Sequence, residues 1–413
     1  KKGAEKLFKK YISLHASDMV LKIEFYFFYK ELNEADKAKK VKNEILKGDF
    51  FNPREFEVIL DNLLAIEEYD WAKQMVDKGK KNMGFYPFEI WYAQISKAEG
   101  NNLEALEYFL KALGKDNNLK EQIQIEIAST VDFSKESEEV KQVKNCFLSA
   151  SQKDPTNAIY SEMLIWFFIQ SKNFQAAFQQ CVAYEKRNKG DGMYLIDFAK
   201  TCLENNEYEL AIKALNEVIN QNFLFKYIAE EVRLNVYFSQ ITTQRKFTEN
   251  EISEVLKAYE EFLSSEEEQE SGRDKILLEY TEILGFYANQ AQKARIILEQ
   301  RCQEKGLTDI QKARFKLKLA DVCVVMDSIW EASLLYMQIS DAFKFEPIGN
   351  EAKFKNARIF YFDGEFDYAQ SQLDVLKQAT SKFISNDAMQ LSLLILENYG
   401  LDSNYEAMSA YAK

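Results

Sequence analysis

The chain has 413 residues, with 31 Phe, 22 Tyr and 4 Trp against 14 Gly, 4 Pro and 1 His. So few Gly and Pro cannot supply the many tight turns of an all-β sandwich or barrel, and one His leaves most metal sites and acid–base relays without their usual residue. A net charge of −13, from 53 Lys+Arg and 66 Asp+Glu, argues against a general nucleic-acid binder, which needs a basic stripe to displace counterions, while 46% hydrophobic residues exclude a disordered chain.

Residues 1–47 carry 12 Lys and 7 acidic residues. This basic end reads as a solvated, Lys-rich capping helix, with contact to acidic lipid or a partner as the alternative. His15, in Ile12-Ser-Leu-His-Ala-Ser-Asp-Met19, falls at an expected helix break and reads as structural or solvated. Phe25-Tyr-Phe-Phe-Tyr29 and, further on, Trp166-Phe-Phe168 stand at helical spacing and read as core, with Phe28 and Trp166 the members most apt to escape it.

Amphipathic segments of about 12–16 residues then succeed one another, separated by short polar breaks such as Glu99-Gly-Asn-Asn102 and Glu204-Asn-Asn-Glu207. They repeat. In residues 99–113, Ala105 is followed by Phe109 at i+4 and Ala112 at i+7, one face of a helix. Corresponding positions are 38, 72, 105, 143, 177, 211, 258, 294, 332 and 369, so the steps are 34, 33, 38, 34, 34, 47, 36, 38 and 37. Twelve residues before four of these markers stands another small residue: Ala93, Ala199, Ala320 and Ala357. There the first helix of a pair must approach the second closely.

A period near 34 is that of the tetratricopeptide repeat. The chain resembles such a protein over nearly its whole length. The resemblance implies an all-α fold: an α-solenoid, a right-handed superhelix of about ten helix pairs, several of them degenerate. The step of 47 marks a departure. Thr248-Glu-Asn-Glu251 reads as a capping box that restarts a helix, and Ser264-Ser-Glu-Glu-Glu-Gln-Glu-Ser-Gly272 as an acidic loop. The organisation expected is an N-terminal array at 1–220, an irregular elongated unit at 221–275, and a C-terminal array at 276–413. The irregular unit reads as a long-helix repeat, with a functional insertion as the alternative. Glu266-Glu-Glu-Gln-Glu270 reads as solvated rather than cation-binding.

Two stretches, Tyr160–Phe178 and Glu351–Leu376 running on to Ala388, are similar to a narrower family: long exported repeat proteins of Bacteroidota-type Gram-negative bacteria. That similarity implies a periplasmic or outer-membrane-associated location and at least one more helix pair beyond Lys413. The chain begins at Lys1 without Met and stops inside a helix-like stretch, so both ends read as trimmed, with the signal peptide removed. The longest apolar run, Met163–Ile169, is far short of a membrane span. Five cysteines without a CxxC make no disulfide framework.

No P-loop, dinucleotide fingerprint, HExxH, nucleophile elbow or metal-ligand spacing occurs, and Gly190-Asp-Gly192 reads as a turn between helices. No catalytic residue, cofactor or metal is expected. Binding remains. A solenoid exposes a groove lined by the first helix of each pair. The resemblance places groove positions at Trp166, Ile169 and Gln170, at Lys200, Leu203 and Glu204, at Asp321 and Val324, and at Arg358, Tyr361 and Phe362. Their aromatic, apolar and charged mixture suits an extended peptide or helix of a protein partner. The reading is a non-enzymatic interaction scaffold of the cell envelope, without nucleic acid and without an integral membrane segment. A cytoplasmic adaptor or peptide-sensing regulator is the alternative; an α/α-toroid enzyme or small-molecule receptor would instead show a deep pocket with clustered carboxylates.

Overall fold

The structure, a computed structural model, describes residues 2–15, 18–48, 52–84, 86–244, 247–265, 270–377, 382–398 and 405–412. Among them there is no strand. The helices are α1 (Lys2–Leu14), α2 (Met19–Glu31), α3 (Ala35–Lys47), α4 (Pro53–Ala65), α5 (Tyr69–Asn82), α6 (Phe88–Ala98), α7 (Asn102–Leu113), α8 (Lys120–Ala128), α9 (Glu138–Lys153), α10 (Ala158–Gln170), α11 (Phe174–Asn188) and α12 (Met193–Glu204). They continue as α13 (Tyr208–Asn220), α14 (Lys226–Gln244), α15 (Glu249–Ser264), α16 (Glu270–Glu282), α17 (Ala291–Gln303), α18 (Asp309–Val325), α19 (Ile329–Ala342), α20 (Pro347–Asp363), α21 (Phe366–Leu376), α22 (Lys382–Asn398) and α23 (Tyr405–Ala412). Contacts divide the chain into two compact units, Lys1–Phe198 and Ala199–Lys413. The acidic run Glu266–Gln269 lies outside the described residues, and the expected loop ends earlier than Gly272, because α16 begins at Glu270.

Each of the ten repeat markers lands on the second helix of a pair, from Ala38 on α3 to Ala369 on α21. Nine are buried; Ala258 on α15 is partly exposed. Ala93, Ala199, Ala320 and Ala357 on the first helices are buried as well. Small residues face each other where paired helices cross, and larger side chains fill the space between successive pairs. Gly79 on α5 shows how little room is left. A Cβ there would stand 2.8 Å from the ring of Phe56 on α4 and 2.8 Å from that of Phe88 on α6.

The turn inside a pair is also a repeat. Five residues before the marker, the chain adopts a left-handed conformation at Asn33, Glu67, Gly100, Lys172, Asn206, Asn289, Asp327 and Gly364. The residue after it donates its N–H back to the last turn of the first helix: Glu34 to Tyr29 O (3.0 Å), Asn173 to Phe168 O (2.8 Å), Glu365 to Phe360 O (2.8 Å). The left-handed residue itself donates three residues back, as Lys172 does to Ile169 O at 3.0 Å. This double bond closes orphan carbonyls at a helix C-terminus. Seven of these pairs turn by one device, all but the Asn289 turn, which is how 4 Pro and 14 Gly suffice for so many reversals.

Two pairs lack it. Between α8 and α9 the chain runs on to Ser137, whose hydroxyl caps α9 by accepting from Val140 N at 3.3 Å. Between α14 and α15 it restarts at the expected capping box, with Glu251 N donating to Thr248 Oγ1 (3.3 Å) and Thr248 N to Glu251 Oε2 (2.8 Å). A third irregularity ends the first helix of the α16–α17 pair: Ile283–Tyr287 forms a π turn, with Ala288 N donating to Ile283 O. Gly285 sits in it, and a Cβ there would meet Val322 at 3.2 Å.

This is an all-α solenoid of tetratricopeptide-like helix pairs. Within each unit a helix packs on its chain neighbours, so stability is built from nearest-neighbour interfaces. Ion pairs staple successive pairs together: Lys42–Glu68 (3.4 Å), Lys73–Glu99 (2.7 Å), Lys97–Glu126 (2.7 Å) and Arg295–Glu331 (2.8 Å). The aromatic stripe of α2 is core: Phe25, Tyr26 and Tyr29 are buried, Phe28 is half-buried, and Phe8 of α1 stacks on Phe25 at 5.2 Å. His15 is exposed, just past the end of α1. No helix among the described residues is long and apolar enough to cross a membrane.

Candidate partner-binding surfaces

On the first unit, the anticipated groove positions cluster at the end of α10. Trp166 is half-buried, its ring edge-on to Phe133 (5.5 Å) and to Phe147 (6.5 Å); Ile169 is half-buried and Gln170 exposed. Trp166 therefore shares its surface between core and solvent. The Gly190–Gly192 turn has a structural role. Glu185, fully buried on α11, accepts from Gly192 N (3.2 Å) and Tyr194 N (3.0 Å), and a Cβ on Gly190 would overlap its carboxylate.

On the second unit, Lys200 and Glu204 are exposed on α12, with Leu203 half-buried beside them. Asp321 on α18 is not a free acceptor. It takes hydrogen bonds from Tyr336 Oη (2.5 Å) and Lys355 Nζ (2.8 and 3.0 Å), and Lys318 stands 4.0 Å away while paired to Glu282 at 2.6 Å. Glu351 completes this row at 3.2 Å from Lys355. Burial works against the Lys355 charge, but Asp321 and Glu351 hold its pKa above the ordinary value. Burial beside Asp321 also pushes the Tyr336 phenol up. The ladder crosses α16, α18 and α20 and satisfies its own charges, so Asp321 fastens repeats together rather than waiting for a ligand. Val324 is half-buried beside it on α18.

On α20, Arg358 and Phe362 are exposed and touch, the guanidinium lying 5.6 Å from the ring centroid. Tyr361 is different. It is only 3% exposed and packs at 5.6 Å on Phe366, in a core with Ala357, Ala369 and Leu373. A groove position for Tyr361 is corrected here. The face of α20 toward α21 carries residues 357 and 361 together, since they are four apart, and Ala357 fixes that face as buried.

One exposed apolar stripe lies outside the expected groove positions. Trp330, Leu334 and Met337 of α19 are 73%, 53% and 39% exposed. Their spacing of four and three makes a second stripe on α19, opposite the buried stripe Ala332/Tyr336/Ile339. The ring of Trp330 meets Phe360 at 6.4 Å, and Phe360 meets Tyr368 of α21 at 4.3 Å. An aromatic ridge thus runs from α19 to α21. Its signal in the sequence was available: a helix with apolar residues on two opposite faces has more than its core needs.

Among the described residues no group of three His, Cys, Asp or Glu could hold a metal ion. Burial pushes the Cys202 thiol up to about 12 and the Cys323 thiol up to about 11, far from a reactive thiolate.

No protein-family model matches the chain, and no curated protein is significantly similar to it. Solved structures of similar fold include yeast Tom70 (12% identity, TM-score 0.36, covering 96% of this chain and 99% of that one). They also include the apo quorum sensor NprR from B. thuringiensis (12%, TM-score 0.36, covering 86% and 96%). A third is the C-terminal part of a TPR repeat-containing protein from Cytophaga hutchinsonii (12%, TM-score 0.28, covering 74% and 98%). Likeness at this level carries no argument about function, and the fold rests on the helix pairs themselves.

Proposed function

We propose that this chain is a non-enzymatic protein–protein interaction scaffold of the cell envelope that holds a segment of a partner protein. The observation that carries the reading is the ridge Trp330/Leu334/Met337 with Tyr368. Large apolar side chains left in contiguous exposure and rimmed by polar residues mark protein interaction sites. Two turns of α19 fit the apolar face of an amphipathic helix, read through i, i+4 and i+7 anchors. Within the same unit, the exposed first-helix residues Lys200, Glu204 and Arg358 serve as further polar contacts and Phe362 as an apolar one. The envelope setting rests on the resemblance of residues 160–178 and 351–388 to exported repeat proteins.

The test is crosslinked capture from the native host with the unchanged chain and with Trp330→Ala/Leu334→Ala. The reading expects one protein recovered reproducibly and lost with the double variant, whose circular dichroism is unchanged. Equal recovery with both forms sinks the α19 surface. Cell fractionation checks the setting: recovery with cytosolic markers alone rejects the envelope.

A further inference from the structure

The irregular pair α14–α15 opens a cavity of about 790 Å³ between α14, α15 and the α13–α14 turn. Small-molecule sites occupy roughly 300–1,000 Å³ and combine apolar walls with a few placed polar groups. One wall here is aromatic. Tyr227 and Phe262 stack at 5.1 Å, Phe223 adjoins them, and Leu224 is 80% exposed. The partly exposed marker Ala258 lines the same space, so this is where the repeat fails to close on itself.

Arg233 also lines it. A guanidinium has five N–H donors. One nitrogen, Nη1, donates to Asn216 Oδ1 at 2.8 Å, while Nε is buried with no acceptor. The other charges around the cavity are used: Lys226 stands 3.8 Å from Glu230, and Glu261 3.7 Å from Lys257. Among the described residues no carboxylate lies within ion-pair distance of Arg233. A half-buried cation without a counter-charge is unfavourable, and the remaining nitrogen, Nη2, which has no acceptor among the described residues, can donate to a carboxylate.

We propose that this cavity binds a small aromatic carboxylate, its acid group on Arg233 and its ring against Tyr227, Phe262 and Leu224. Asn216 is a positioning residue: it holds Nη1 and so fixes the plane of the fork. The site is separate from the α19 ridge, so either can fail without the other.

The test is calorimetric titration of the whole chain with 3-phenylpropionate and with 3-phenylpropan-1-ol, which has the same ring and no charge. Saturable binding of the acid is expected, with the alcohol weaker by about tenfold or more, since charge-assisted bonds are about twice as strong as neutral ones. Arg233→Gln is expected to lose the acid's advantage over the alcohol, and Arg233→Lys to keep part of it. Equal binding of acid and alcohol to the unchanged chain overturns the proposal, as does no saturable binding of the acid, so the result does not depend on whether a variant folds.

Discussion

Two of the eight left-handed turn positions carry a residue that pays a steric penalty there: Glu67 (φ 61°) and Lys172 (φ 53°). A Cβ in this conformation costs about 1–2 kcal/mol. Replacing such a residue by Gly removes that cost but returns about 0.4–1 kcal/mol to the more flexible unfolded chain. Both side chains are exposed and neither makes a hydrogen bond or ion pair among the described residues, so nothing else is lost. Each substitution to Gly should therefore stabilise the chain by about 0.5–1 kcal/mol net. The converse holds at Gly100 and Gly364, where φ is 83° and 92°: Ala there should destabilise by about 1 kcal/mol or more. Urea unfolding followed by circular dichroism reads both. Asn33→Gly serves as a control near zero, because Asn tolerates this region and the Asn33 side chain makes no hydrogen bond among the described residues. A Lys172→Gly chain that unfolds at lower urea than the parent would refute the argument that the turn conformation, rather than its side chain, sets the pair.

Gly79→Ala should destabilise by about 1 kcal/mol: overpacking against Phe56 and Phe88 costs about 1–3 kcal/mol and outweighs the helix-propensity gain of about 1 kcal/mol, and no change in the urea midpoint would contradict the packing. Trp330→Ala/Leu334→Ala should shift stability by less than about 0.5 kcal/mol, since both side chains face solvent; a large loss on thermal melting would make the ridge part of the core. Glu279 is buried, and burial raises its carboxyl above 4.5, with Lys275 and the Tyr259 hydroxyl opposing. Its folded form holds the proton longer than its unfolded form, so stability falls as pH rises from 4.5 through the raised value. Glu279→Gln should remove that falling limb in urea midpoints taken across it; an unchanged pH profile would reject the assignment.

Much of the fold was legible because a helix pair writes a period into the sequence. Ala72, Ala105, Ala211 and Ala332 recur because only small side chains fit where paired helices cross, and all are buried. The turn device was not legible. Asn, Gly, Glu, Lys and Asp all fill the same left-handed position, because backbone bonds hold it and its side chain points to solvent. The groove was legible only as helical offsets. Offsets place Tyr361 and Phe362 side by side, but the core of α21 takes one and leaves the other to solvent. They also cannot show that Asp321 is already held by Tyr336 and Lys355 from neighbouring helices. The ridge on α19 was hidden for a different reason: Trp330 reads as core until the opposite face of its helix is shown to be buried instead. At α14–α15 the step of 47 did flag an irregular unit, and its consequence is the cavity around Arg233.

The claim most worth testing is that α19 presents its apolar stripe to a protein. A photo-crosslinking amino acid placed at position 330 in the native host reads this directly, with position 166 on the other unit for comparison. The account predicts a discrete protein adduct from position 330, identifiable by mass spectrometry and abolished by Leu334→Ala/Met337→Ala. An absence of any protein adduct from position 330, in cells where the chain is folded and abundant, would contradict it.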